Sequence, residues 1–204
     1  MTMKNYELEK EIDNFLNSKK ENIRERDYFY ISELGKTKKE IYDAIVNQKP
    51  FDADARVKRI LENGNKVHER YIKLFAEMGI LVAAEIDAVS NELVHGRLDA
   101  LITDRTQNYV VEIKSCSMWT FNKLQKPSHP HFLQIQFYMY YTNIPRGFIL
   151  YENKDTQNIK CFYLELDKEL VENTIKDLNE LKEMIINKIE PKDEPLSIEK
   201  LEYK

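Results

Sequence analysis

Asp99, Glu112 and Lys114 are charged residues set in apolar, strand-forming sequence, the stretch GRLDALITDRTQNYVVEIKS from Gly96 to Ser115. Side chains on a strand alternate faces, so Glu112 and Lys114 share a face with Val110, while Val111, Ile113 and Ser115 take the other. A carboxylate and an ammonium ~6–7 Å apart along one strand, with a second carboxylate close by, suit a divalent cation that grips a phosphate. Charges are rarely buried unpaired, so these residues either pair structurally or hold a metal. Glu-x-Lys alone is a common solvated pair on edge strands. Its surroundings decide between the two readings.

The elements that must position these residues follow from periodicity and turn chemistry. Tyr6, Ile12, Phe15 and Leu16 form a stripe over a helix at about 4–16. Thr37-x-x-Glu40 is a capping box that opens a short helix to about Asn47. Val57, Ile60, Leu61, Gly64, His68, Tyr71, Ile72 and Phe75 recur at helical spacing, predicting a long helix from about Ala53 to Met78. Strands are expected at about 80–89, 93–103 and 109–116, joined by connections of hairpin length. A helix at about 130–143, strands near 146–152 and 159–166, and an amphipathic helix at about 168–188 complete the order. The whole chain, 1–204, reads as one domain, with a helical N-terminal region to about residue 78 and a loose, charged tail from about 190 to 204.

Asp99 followed by Glu112-x-Lys114 resembles the signature of the PD-(D/E)XK nuclease superfamily. More narrowly, the pattern is similar to the RecB-like exonuclease branch, which adds Gly-x-x-x-His upstream and Gln-x-x-x-Tyr downstream. Those stand here as Gly64 to His68 and Gln134 to Tyr138, and Ser32-Glu33-Leu34 resembles the Ser-x-Leu opening of the branch. The resemblance implies an α/β fold with an αβββαβ core, a central mixed sheet flanked by helices. It implies one or two Mg²⁺ or Mn²⁺ ions held by His68, Asp99, Glu112 and the main-chain carbonyl of Ile113. His68 by itself sits on the inward stripe of its helix, where a histidine is usually a hydrogen-bonded core residue; the resemblance makes it a metal ligand. CRISPR-associated members of the branch carry a four-cysteine iron–sulfur cluster. This chain has only Cys116 and Cys161, with Gly35-Lys36-Thr37-Lys38 where the first cluster cysteine would stand, so a cluster-free relative is expected.

A net charge of −4 argues against a nucleic-acid protein until the distribution is considered. From Ile113 to Tyr151 there is no Asp or Glu, although the chain holds 35. The same span carries Lys114, Lys123, Lys126, His129, His131 and Arg146, with nine of the 22 aromatics. Cations for phosphates and flat faces for bases are what a single strand needs. Phe132, Phe137 and Phe148 read as core. Trp119 and Phe121, in a polar loop from Ser115 to His129, are expected to contact DNA together with Lys123, Lys126 and His131.

Phosphodiester cleavage needs a nucleophilic water and relief of negative charge on the phosphate. Lys114 would orient or deprotonate that water, or neutralise the charge; the sequence leaves these open. Gln134 and Tyr138, four apart on one helix face, would position water or phosphate. Glu85 is an accessory carboxylate at most, because Asp87 shares its strand face. The expected activity is a deoxyribonuclease, an exonuclease on single strands or duplex ends, in the cytoplasm and with no membrane partner. A structure-selective endonuclease and a catalytically inactive DNA-binding module are the alternatives, and the complete Asp, Glu and Lys set speaks against the latter. A Lys-, Asn- and Ile-rich composition hints at an AT-rich bacterial or phage genome.

Overall fold

The computed structural model describes residues 7–19, 26–47 and 53–196. In chain order these form α1 (Leu8–Ser18), β1 (Phe29–Tyr30) with a 3₁₀ turn at Ile31–Glu33, α2 (Lys38–Val46), α3 (Ala55–Glu77), β2 (Leu81–Ser90), β3 (Val94–Thr103) and β4 (Asn108–Cys116). There follow α4 (Met118–Lys123), α5 (His129–Thr142), β5 (Arg146–Asn153), β6 (Ile159–Glu165) and α6 (Lys168–Ile186). Local chemistry sets the boundaries. Thr37 and Glu40 form the reciprocal cap of α2. Asp54 accepts the Val57 N–H at the start of α3, and α5 ends on Asn143 in the left-handed conformation. In the β2–β3 hairpin the Asn91 carboxamide oxygen accepts the N–H groups of Leu93 and Val94, both at 2.8 Å.

The sheet is mixed. β2 and β3 are antiparallel, as are β3 with β4 and β5 with β6, whereas β4 runs parallel to β5 across the α4–α5 connection. β3 carries β2 on one edge and divides the other edge between two partners. β1 pairs in parallel with Val94 and His95, and β4 pairs with Ala100 to Thr103. Residues 96–99 lie between those two registers. That interruption, next to Asp99, is where the sheet opens to admit polar groups.

Helices cover both faces. On one, Val67, Tyr71 and Phe75 of α3 meet Val111, Ile113 and Leu150. On the other, Leu133, Ile135 and Phe137 of α5 join Val110, Ile149 and Tyr151, with Leu178 and Leu181 of α6 in the same core. α5 is buried over eight consecutive residues, Phe132 to Met139, as befits a helix held between a sheet and another helix. Gly35 presses the turn after Leu34 against α5, since a Cβ there would meet Pro130 Cβ at 2.4 Å.

The helix, three strands, helix and strand expected from the sequence are α3, β2, β3, β4, α5 and β5. Two expectations need correction, and one strand was not expected. The polar loop from Ser115 to His129 contains α4, capped by Ser117, whose hydroxyl accepts the Thr120 N–H. β1 is two residues long, too short for periodicity to reveal. The tail expected to be loose from residue 190 is held as far as Leu196. Pro195 bridges Thr37, the Lys38 N–H donates to the Glu194 carbonyl at 2.8 Å, and Leu196 is only 1% exposed, an apolar anchor among charges. Residues 197–204, and residues 4–6 of the expected first helix, lie outside the described residues. Among the described residues no helix is long and apolar enough to cross a membrane.

Candidate active site

β3 and β4 part at Asp99, and the carboxylate fills the opening. Asp99 Oδ2 accepts the Ile113 N–H at 2.7 Å, replacing the ladder bond that the interrupted pairing leaves unmade. Its Oδ1 lies 3.2 Å from Nδ1 of His68, brought in by α3. Burial pushes the His68 pKa down, but the hydrogen bond and charge of Asp99 outweigh it, and the net shift is upward.

Glu112 is 0% exposed. Its Oε1 pairs with the Lys114 ammonium two residues along the same strand face, while its Oε2 has no hydrogen-bond partner. Burial pushes the Glu112 pKa up and Asp99 adds to the rise, against the opposing pull of Lys114. Burial would lower Lys114, but Glu112 and Asp99 overcome it and hold the ammonium protonated.

From the opposite side, α5 delivers Gln134 and Tyr138. The Gln134 amide donates to the Tyr138 hydroxyl at 3.2 Å, and the Arg97 N–H, exposed by the same interruption in β3, also donates to it. Burial and the nearby Glu112 raise the Tyr138 pKa, so the phenol stays protonated. Asp99, Glu112, Lys114, His68, Gln134 and Tyr138, spread over 71 positions from residue 68 to 138, thus converge on one end of β4.

The expected DNA contacts divide. Trp119 is 68% exposed on α4, with the Lys123 ammonium 3.6 Å from its ring centroid; Lys126 is also exposed. Phe121 is 5% exposed and belongs to the core, because the unforeseen turn of α4 points it inward beneath Lys160. It cannot stack on a base. His131 is no phosphate-binding cation either. Its Nδ1 lies 2.8 Å from the Tyr151 hydroxyl, and burial, then the charge of Lys114, push its pKa down to about 4. Glu85 is exposed on β2 with φ of 49°, outside the hydrogen-bonded cluster.

No protein-family model matches the sequence, and neither does any curated protein sequence. Solved structures do match in shape. The alkaline exonuclease LHK-Exo from Laribacter hongkongensis superposes with a TM-score of 0.56 at 17% identity, over 89% of this chain and 92% of that one. A phage-related exonuclease from Haemophilus somnus 129PT gives 0.58 at 14% identity, over 79% and 94% of the two chains. SSO0001 gives 0.57 at 20% identity, over 88% and 84%. A further LHK-Exo structure is a complex with dAMP. The chain has the PD-(D/E)XK nuclease fold.

Within that fold the donor set suits a divalent cation. Two carboxylates face one ammonium, and a fully buried carboxylate oxygen has no partner, which is costly unless a cation or donor meets it. Among the described residues no three His, Cys, Asp or Glu side chains are drawn into a ready-made cage, so the Ile113 carbonyl and substrate oxygens would have to complete the coordination. Sequence reading missed Tyr151, which lies opposite Lys114 on β5 and anchors His131. A tyrosine in an apolar strand run gives no signal of such a role. Arg97 was likewise missed, although it stands two residues before Asp99.

Proposed function

We propose that this chain is a divalent-metal-dependent deoxyribonuclease, an exonuclease acting on single-stranded or end-containing DNA. The observation that carries this reading is the unpartnered, fully buried Oε2 of Glu112 beside Lys114 and Asp99. The fold shared with exonucleases, one of them seen with a deoxynucleotide, supports it. Asp99, Glu112, His68 and the Ile113 carbonyl would hold one or two Mg²⁺ or Mn²⁺ ions. When bound, such an ion offsets phosphate charge and lowers the pKa of a coordinated water. Lys114, kept protonated by two carboxylates, donates to the oxygen on which charge develops. The Tyr138 hydroxyl accepts from Gln134 and the Arg97 N–H, so its own proton is directed to a phosphate oxygen or the attacking water. Asp99 keeps His68 oriented, and Trp119, Lys123 and Lys126 line the approach of the strand.

The whole chain acts as one nuclease domain in this reading, in the cytoplasm and of the RecB-like type without an iron–sulfur cluster. Incubating labelled linear and closed-circular DNA, single- and double-stranded, with Mg²⁺ or Mn²⁺ tests it. Linear single strands should be degraded and circles spared. Rapid cutting of a single-stranded circle overturns the exonuclease mode, and no cleavage of any form overturns the nuclease.

A further inference from the structure

A cavity of about 420 Å³ adjoins the catalytic residues, between β1 and the closed end of the β2–β3 hairpin. Gln134 and Tyr138 line it, and Tyr138 also feels the charges of Glu112 and Asp99, so this layer of side chains borders both the cavity and the carboxylates. Gly96 makes that layer possible. A Cβ there would lie 2.7 Å from Ile31 Cδ1 and 2.8 Å from Tyr138 Cε1, so only glycine lets Tyr138 lie against β3.

The lining is aromatic on one side. Tyr28 stacks on His95 with ring centroids 3.6 Å apart and planes within 10°. Tyr30 and Tyr28 meet at right angles with centroids 5.3 Å apart; Tyr30 is 39% exposed, carries the Arg26 guanidinium 4.5 Å from its ring centroid, and is steadied by a 3.2 Å contact between the two hydroxyls. On the rim, the hydroxyls of Ser32 and Ser90 and the Arg97–Asp87 pair, 3.3 Å apart, offer donors and acceptors. Its volume falls in the range of small-ligand sites. The charges decide what kind of ligand. Arg97 is offset by Asp87, and Arg26, over the ring of Tyr30, by Glu33 at 2.7 Å, so the rim has no surplus cation for a phosphate, whereas flat rings and paired donors and acceptors suit the face and edges of a base.

We propose that this cavity is a nucleobase subsite, taking the base of a nucleotide whose phosphate lies at Asp99 and Glu112. A base inside it cannot be paired, so the subsite demands at least one unpaired nucleotide at the site of cleavage. The inference rests on the nuclease reading above for its substrate, and it supplies the single-strand preference independently of Trp119.

The test compares cleavage of an intact single-stranded oligonucleotide with cleavage of one carrying abasic residues at its terminal positions, by wild type and by Tyr30→Ala. Wild type should show KM about tenfold or more higher on the abasic strand, the scale of one base stacked on an aromatic ring. In Tyr30→Ala, KM on the intact strand should rise to match and the discrimination should vanish, with kcat changing less. Equal KM values for the two strands in wild type, or discrimination kept by the variant, overturn the proposal. A binding arm needs no cleavage: 2-aminopurine at the terminal positions, with Ca²⁺ present, should be quenched by wild type and not by Tyr30→Ala. Quenching without any cleavage in Mg²⁺ or Mn²⁺ would remove the nuclease reading and keep the subsite; cleavage without quenching would do the reverse. If Tyr30→Ala fails to fold, Ser90→Trp, which fills the cavity from its rim, should abolish quenching, and unchanged quenching overturns the subsite.

Discussion

Among the described residues each side of the central sheet buries one glutamate, and the two are treated differently. Glu152, near the end of β5, turns toward α3, where its carboxylate receives the Tyr71 hydroxyl at 2.8 Å and the Arg70 guanidinium. Glu112, on adjacent β4, has Lys114 on one oxygen and nothing on the other. Both are buried, so the contrast lies in satisfaction. A carboxylate whose partners are supplied by the fold is a fastener between helix and sheet. One left with an unmet oxygen beside a second carboxylate is free to meet a charge from outside, which is the role proposed for it.

Removing the two glutamates should therefore have opposite signatures. Glu152→Ala leaves a buried phenol and part of a guanidinium without an acceptor, so it should cost about 1–3 kcal/mol in urea unfolding. Glu112→Gln keeps the shape and removes a desolvated charge, with Asp99 still near Lys114. Without divalent ions its stability should stay within about 1 kcal/mol of wild type. With Mn²⁺ at a hundred times its Kd, wild type should gain about 2.7 kcal/mol and Glu112→Gln should gain little. Equal gains would make Glu112 a second fastener.

His68 sharpens the comparison, because α3 carries Arg70 and Tyr71 toward Glu152 and His68 toward Asp99. His68→Ala should weaken Mn²⁺ binding by about 10–100-fold, measured by isothermal titration, with a smaller effect on unfolding. Unchanged affinity would leave His68 a support for Asp99.

His131 acts only at acidic pH, because its pKa is pushed down to about 4 from the ordinary 6.5. Between those values the unfolded chain binds a proton that the native protein does not. The contribution is therefore complete above about pH 6.5 and is lost as pH falls toward 4. His131→Gln should flatten that part of the stability profile, and an unchanged slope would show that His131 charges in place.

The smallest expected change is at Gly64, one turn before His68. A Cβ there meets nothing within 4 Å, so Gly64→Ala should stabilise α3 by about 0.5–1 kcal/mol. If cleavage falls while stability rises, the open space over Gly64 is a path for DNA.

Much of this was legible in the sequence. α3, β2 to β4, α5 and β5 announced themselves through long apolar periodicity, and Asp99, Glu112 and Lys114 through charges placed where carbon belongs. What stayed hidden was short or depended on the third dimension. Six-residue α4 carried only the Ser117 cap as a signal, and its single turn decides that Phe121 faces in and Trp119 out. Two-residue β1 carried no pattern, yet it sets Tyr30 beside the cavity. Glu152 sits in β5 sequence that gives no hint of Arg70 and Tyr71, 82 and 81 positions away.

The most direct test of the site is Lys114→Ala. It removes the ammonium that Glu112 and Asp99 hold beside the unmet carboxylate oxygen. We expect cleavage of linear DNA in Mg²⁺ or Mn²⁺ to fall by at least about a hundredfold, the usual loss of a transition-state donor, while the unfolding transition remains cooperative. A folded Lys114→Ala protein that cuts linear DNA at the wild-type rate would contradict the assignment.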